Sequence, residues 1–190
     1  MENAGVKLMR VISGKAKGRK LKQPKTDKVR PTQDKVKEAL FDIIAQKVAG
    51  AKFLDLYAGV GAVGIEALSR EAGDVVFIEQ KPKYIYENLQ ITGLTGRVYA
   101  TKVATALKVL NKHQEKFDII FLDPPYFGEE AESTLNNIST FDILTPNGLV
   151  IVEYHKSKNL SVKIGELEEV KKRFYGQTGL SFYKKVHSKS

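Results

Sequence analysis

Apolar and polar residues alternate along this chain in two rhythms. Phe53–Tyr57, Val75–Glu79 and Phe117–Leu122 are short, nearly continuous apolar runs of strand length. Runs that are apolar on both faces belong to buried strands covered on either side. Arg97–Lys102 reads as a weaker strand, and Leu149–Tyr154 as a strong one after a Pro146–Asn147–Gly148 turn. Between them the period lengthens to that of a helix. Val36, Leu40, Ile43 and Ile44 recur at helical spacing after Pro31 and Thr32, with Thr32 suited to cap and Gly50 to end the helix. Further helices are predicted at about Val63–Arg70, Pro82–Ile91, Ala104–Lys112 and Glu130–Ile138.

The two ends depart from this alternation. Residues 1–8 read as a loose extension. Met9–Lys22 has two apolar–basic stretches around Gly14 and Gly18 and reads as a β-hairpin, followed by a polar loop over 23–30. Val170–Tyr175 and Leu180–Val186 flank Gly176–Gly179 and predict an antiparallel hairpin. The predicted fold is therefore α/β: a Rossmann-like, mostly parallel sheet with an antiparallel C-terminal hairpin. That is the layout of class I S-adenosylmethionine-dependent methyltransferases, preceded here by a basic N-terminal hairpin and helix. The division expected is an arm over 1–30 and a catalytic domain over 31–190.

The charge sharpens that division. The 190 residues carry a net charge of +9, from 31 Lys and Arg against 22 Asp and Glu. Residues 1–37 hold twelve of the basic side chains and three of the acids, so the remainder of the chain balances to zero. A basic segment in front of a neutral domain points to a polyanionic partner. There is no cysteine, which excludes disulfides and thiolate metal sites. His113, His155 and His187 show no ligand spacing, so no metal is expected. No apolar run approaches the roughly 20 residues of a membrane helix, and no signal-peptide pattern opens the chain. The expectation is a cytoplasmic protein with no membrane partner.

The first apolar strand leads into FLDLYAGVGAVGIEA. Gly59, Gly61 and Gly64 form G-x-G-x-x-G, and Glu79 follows Gly59 by twenty residues. Taken alone, this matches a dinucleotide fingerprint equally well. Asp55 separates the two readings. An acid there would repel a pyrophosphate, but it suits the cationic amino-acid end of S-adenosylmethionine. Glu79 would then take the ribose hydroxyls. A nicotinamide oxidoreductase is the competing class on the loop alone.

The fourth run ends IIFLDPPYF. Asp123 emerges at the carboxyl edge of the sheet, Pro124 and Pro125 lock the backbone, and Tyr126 offers a flat ring. An exocyclic amine on a base is a poor nucleophile, because its lone pair is delocalised into the ring. Asp123 and a proline-turn carbonyl can accept its N–H bonds, favour pyramidalisation and expose the lone pair. Tyr126 can stack on the extruded base. The catalytic residues expected are Asp123, Pro124 and Tyr126.

DPPY at this place is similar to the motif of amino-methyltransferases acting on adenine, cytosine or guanine. MRVISGKAKGRKLK, RPTQDKVKEALFDII and FLDLYAGVGAVGIEALSREA resemble the RsmD-type family over nearly the whole chain, from about Met9 to Lys185. The resemblance implies transfer to the exocyclic N2 of a guanine in 16S ribosomal RNA. It also implies a monomeric enzyme acting on a small-subunit assembly intermediate. It further implies that Asp55, Gly59, Gly61 and Glu79 bind the cofactor and that Asp123 to Tyr126 form the catalytic turn; Tyr57 and Asp123 complete the expected cofactor set. Where many members carry an acid or asparagine after the third strand, this chain has Ala104 and Thr105, so adenine is expected against backbone groups or Thr105. Lys15, Lys17, Arg19, Lys20, Lys22 and Arg30 are the expected RNA contacts, the arm's phosphate contacts fixing the RNA without reading its sequence. The alternatives are an adenine-N6 methyltransferase, with the same turn, and a non-catalytic RNA-binding factor that kept the fold.

Overall fold

The computed structural model describes residues 9–24, 33–125 and 129–186, with the side chain of Gln33 excepted. The elements are α1 (Gln33–Val48), β1 (Lys52–Leu56), α2 (Ala62–Ser69), β2 (Asp74–Glu79), α3 (Lys83–Thr92), β3 (Arg97–Ala100), α4 (Val103–Lys112), β4 (Phe117–Leu122), α5 (Glu130–Phe141), β5 (Leu144–His155), β6 (Lys163–Ile164), β7 (Leu167–Tyr175) and β8 (Thr178–Lys185). All eight strands form one sheet in the order β3-β2-β1-β4-β5-β8-β7-β6. β1 to β5 pair in parallel, and β8, β7 and β6 continue the sheet antiparallel. The α/β architecture with a C-terminal antiparallel hairpin is thus present.

Alternate side chains of the central strands feed two cores. Phe53, Phe77, Phe121 and Ile151 pack with α1, α2, α3 and residues 9–24 on one face. Leu54, Ile78, Leu122 and Val152 pack with α4 and α5 on the other. Every apolar residue of β1, β2 and β4 is buried, as their two-sided apolar pattern requires. The chain runs from β1 outward to β2 and β3, then returns to β4 on the other side of β1. That reversal opens a crevice beyond the carboxyl ends of β1 and β4, where ligands of open α/β sheets bind.

Three local expectations are refined. The turn at Pro146–Gly148 lies inside β5. Phe117 pairs Leu144 while Ile119 pairs Leu149, so the extra residues bulge out of the ladder. A bulge tolerates a proline that lacks the ladder donor. The C-terminal hairpin is longer than expected and carries the two-residue β6 at the sheet edge. The N-terminal hairpin is present in short form: Arg10 and Lys20 form an antiparallel bridge, flanked by bonds from Val11 N–H to the Arg19 carbonyl and from Leu21 N–H to the Met9 carbonyl, with Gly18 N–H donating to the Val11 carbonyl. Its other backbone groups bond side chains of α2: Ile12 N–H and Ser13 N–H donate to Glu66, and Ala16 N–H donates to Ser69 Oγ.

Those bonds weld the segment to the domain. Val11, Ala16 and Leu21 are buried in the α1–α2 core. Lys37 of α1 lies buried beside Glu66 at 3.4 Å and donates to the carbonyl of Arg10 at 2.7 Å. The Arg70 Nε closes the group on Glu66 at 2.8 Å. The extension over 1–8, the loop over 25–30, Pro31, Thr32 and His187 lie outside the described residues.

Candidate active site at the carboxyl edge of the sheet

Strand register brings three acids to one edge. Leu56 of β1 is paired with Ile78 of β2 and Leu122 of β4. Tyr57, Glu79 and Asp123 therefore stand one residue further along, on adjacent strands. Asp55 lies just inside this edge and is buried. Its Oδ2 accepts the N–H of Gly64, at the first turn of α2, at 2.9 Å. Burial pushes the Asp55 carboxyl up to about 7, opposed by that hydrogen bond and reinforced by the charges of Asp123 and Glu79. Three carboxylates so close repel one another, and a cation placed among them relieves the repulsion.

The glycine loop is built for close approach. Gly61 takes a φ of 81° as α2 begins, a left-handed conformation open to glycine. A Cβ on Gly64 would fall 2.3 Å from the Phe77 ring, so this glycine lets α2 lie against β2. Glu79 folds back over the loop: Oε2 accepts Gly59 N–H at 3.0 Å and Oε1 accepts Lys81 N–H at 2.9 Å. Both oxygens are oriented, and each keeps a lone pair for a ribose hydroxyl. An acid cluster beside an open glycine backbone fits a ligand with a cationic end and a ribose.

Tyr57 leaves β1 with a φ of 58°, rare for a residue with a side chain. Its hydroxyl bonds Thr134 Oγ1 of α5 at 2.8 Å, which ties the end of β1 to α5. Asp123 is exposed at the end of β4, Pro124 is buried and Pro125 exposed. Tyr126 lies outside the described residues. Behind the prolines a cavity of about 430 Å³ opens between α5, the end of β5 and the loop to β6. Thr105 sits in the first turn of α4 and lines a separate recess of about 230 Å³ with Ile78, Tyr99 and Ala106. That recess shares no lining residue with the glycine loop.

The basic side chains of the arm stand exposed around a fixed backbone. Lys15 pairs Glu71 at 3.3 Å and Lys22 pairs Glu87 at 3.1 Å. Lys17, Arg19 and Lys20 are exposed, and Arg30 lies outside the described residues. Sequence reasoning missed Asn88. It is fully buried, accepts Lys22 N–H at 2.7 Å, and donates to the carbonyls of Lys22 and Val60. It thus joins the arm to the glycine loop. Its polarity within an otherwise amphipathic α3 is the signal that could have found it. Among the described residues no group of three or more His, Asp or Glu could hold a metal, and no helix is long and apolar enough to cross a membrane.

Comparison with known proteins identifies the family. The family described as "Conserved hypothetical protein 95" matches residues 9–184. The chain is 39% identical to "Putative rRNA methyltransferase YlbH" of Bacillus subtilis (strain 168), over 93% of this chain and 99% of that protein. It is 35% identical to "Ribosomal RNA small subunit methyltransferase D" of Haemophilus influenzae, over 80% of this chain and 81% of that one. Among solved structures, "Putative methyltransferase yhhF from Escherichia coli" superposes with a TM-score of 0.81 at 30% identity, over 94% of this chain and 98% of that chain. The chain belongs to this family, the RsmD-type methyltransferases.

Proposed function

We propose that this protein transfers the methyl group of S-adenosylmethionine to the exocyclic N2 of a guanine in 16S ribosomal RNA. The observation that carries the reading is the meeting of Asp55, Glu79 and Asp123 at one sheet edge, with the rigid Pro124–Pro125 turn beside them. Asp55 attracts the cationic amino-acid end of the cofactor, and Glu79 holds the ribose. The cofactor supplies an electrophilic methyl on sulfonium. Asp123 and the Pro124 carbonyl accept the two N2 hydrogens, and Tyr126 stacks on the base. The N2 lone pair forms the new C–N bond as the C–S bond breaks, and the extra proton on nitrogen leaves afterwards. Orientation and stabilisation of the charge growing on nitrogen provide the acceleration.

The arm over 1–30 grips RNA phosphates through Lys15, Lys17, Arg19, Lys20, Lys22 and Arg30, while residues 31–190 carry out the chemistry. The protein acts as a cytoplasmic monomer on a small-subunit assembly intermediate. The curated relative from H. influenzae, by name a small-subunit methyltransferase, supports the substrate class. The test is transfer of a tritiated methyl group to small-subunit particles, and to their naked RNA, from cells lacking this protein. Digestion and mass mapping then identify the labelled nucleoside. Label in N2-methylguanosine, stronger on particles, is the expected result. Label in adenine would overturn the reading.

A further inference from the structure

The cavity behind the proline turn has a volume typical of small-ligand sites, about 430 Å³. Pro124 and Pro125 form one wall, and Glu153, Tyr154 and Lys158 approach from β5 and the loop beyond it. Glu129 and Glu132 also line it, so acids outnumber the one lysine. A phosphate is disfavoured there, and a base edge rich in N–H donors is favoured. The three acids are not equivalent. Glu129 is exposed. Glu132 accepts both the N–H and the hydroxyl of Ser161, at 2.9 and 2.7 Å, and serves to hold the loop. Glu153 is buried at 8% exposure and stands level with Asp123, because Leu122 pairs Val152 on the neighbouring strand.

We propose that this cavity takes the target guanine and that Glu153 is its specificity-determining residue. The carboxylate accepts N1–H, beside the amino group whose two hydrogens go to Asp123 and the Pro124 carbonyl. Of the two purines, only guanine presents adjacent donors on that edge. Adenine turns its N1 lone pair toward the same position, and the carboxylate repels it. The inference rests on the guanine-N2 reading and adds the group that enforces it.

The test uses RNA fragments spanning the nucleotide mapped above, with guanine or 2,6-diaminopurine at the target position. Diaminopurine keeps the 2-amino group but makes N1 an acceptor. The full-length wild-type protein should prefer guanine by about 10- to 100-fold in kcat/KM, the cost of leaving one buried acceptor without its donor. Glu153→Gln offers an amide donor to N1 and should erase or reverse that preference, while binding of S-adenosylhomocysteine stays within about twofold. Glu153→Asp keeps the charge on a shorter stem, and should retain the guanine preference with a raised KM. It carries the test if the glutamine variant does not fold. Wild-type preference in Glu153→Gln, or an unchanged KM in Glu153→Asp, would overturn the role of Glu153 alone. A wild-type protein that labels no guanine would instead overturn the substrate reading beneath it.

Discussion

Two groups of charge, each centred on a buried carboxylate, lie on the same side of the sheet, and they are built on opposite plans. Around Glu66 the charges alternate: Lys37 and Arg70 flank it, and two backbone N–H groups of the arm complete its hydrogen bonds. Burial lowers the Lys37 ammonium, and the neighbouring Glu66 carboxylate pulls it back up. At the carboxyl edge the charges repeat: Asp55, Glu79 and Asp123 are all acids, and each of the latter two pushes Asp55 further up. A buried group that is already satisfied holds structure together. Like charges gathered around a buried acid favour a ligand with a cationic end. Both contain a carboxylate with essentially no exposure, so the difference lies in the company each keeps.

The comparison is broken most severely at Asp123. Asp123→Ala should lower methyl transfer by about 100- to 10,000-fold, with cofactor affinity by calorimetry little changed, since its carboxylate acts mainly on the amine. Equal loss in both would give Asp123 a second duty toward the cofactor. On the other side, Glu66→Ala strands Lys37 in the core. It should cost about 3–5 kcal/mol in urea unfolding, while the folded fraction retains its affinity for S-adenosylhomocysteine. Loss of affinity without loss of stability would dissolve the distinction.

Asn88 sharpens the comparison because it touches both regions. Asn88→Ala leaves backbone groups of the arm and of the glycine loop unpaired. A destabilisation of about 1–3 kcal/mol with weaker binding of both cofactor and RNA is expected. An effect on the arm alone would mean that the bond to Val60 carries nothing to the loop. The smallest effect should come from the exposed rim. Neutralising Lys17, Arg19 and Lys20 leaves stability within about 0.5 kcal/mol and reduces the salt slope of RNA binding by about one for each phosphate that is no longer neutralised. An unchanged slope would mean that RNA does not touch the rim.

What was legible in the sequence follows from how local each signal is. β1, β2 and β4 announce themselves because every apolar residue in them is buried, and Asp55 stands out as the acid inside the first run, Glu79 and Asp123 as the acids that end the other two. The helices carry their own period. Glu66 and Ser69 gave no such notice, and Asn88 gave only its polarity. Their partners in the arm lie 53 to 66 residues away, and nothing near them in sequence betrays the pairing. The same long-range bonding docks the N-terminal hairpin on α2. β6 has two residues and exists through its pairing with β7. The bulge in β5 follows from the register with β4, which a proline-containing turn motif conceals. Tyr126 and Arg30 were named from sequence alone and lie outside the described residues.

The titration of Asp55 bears most directly on the claim that the acid edge holds a cationic donor. Its folded carboxyl titrates at about 7, against 3.8 for the free group. Without ligand, its contribution to stability is therefore complete below about pH 4 and is lost as pH rises to about 7. A cation needs the ionised form, so affinity for S-adenosylmethionine should move the other way. Calorimetry across this range should show affinity rising with pH, by up to about tenfold per unit, and levelling above about 7. Asp55→Asn should bind weakly and without that slope. A wild-type affinity flat with pH, or a slope that survives in Asp55→Asn, would contradict the account.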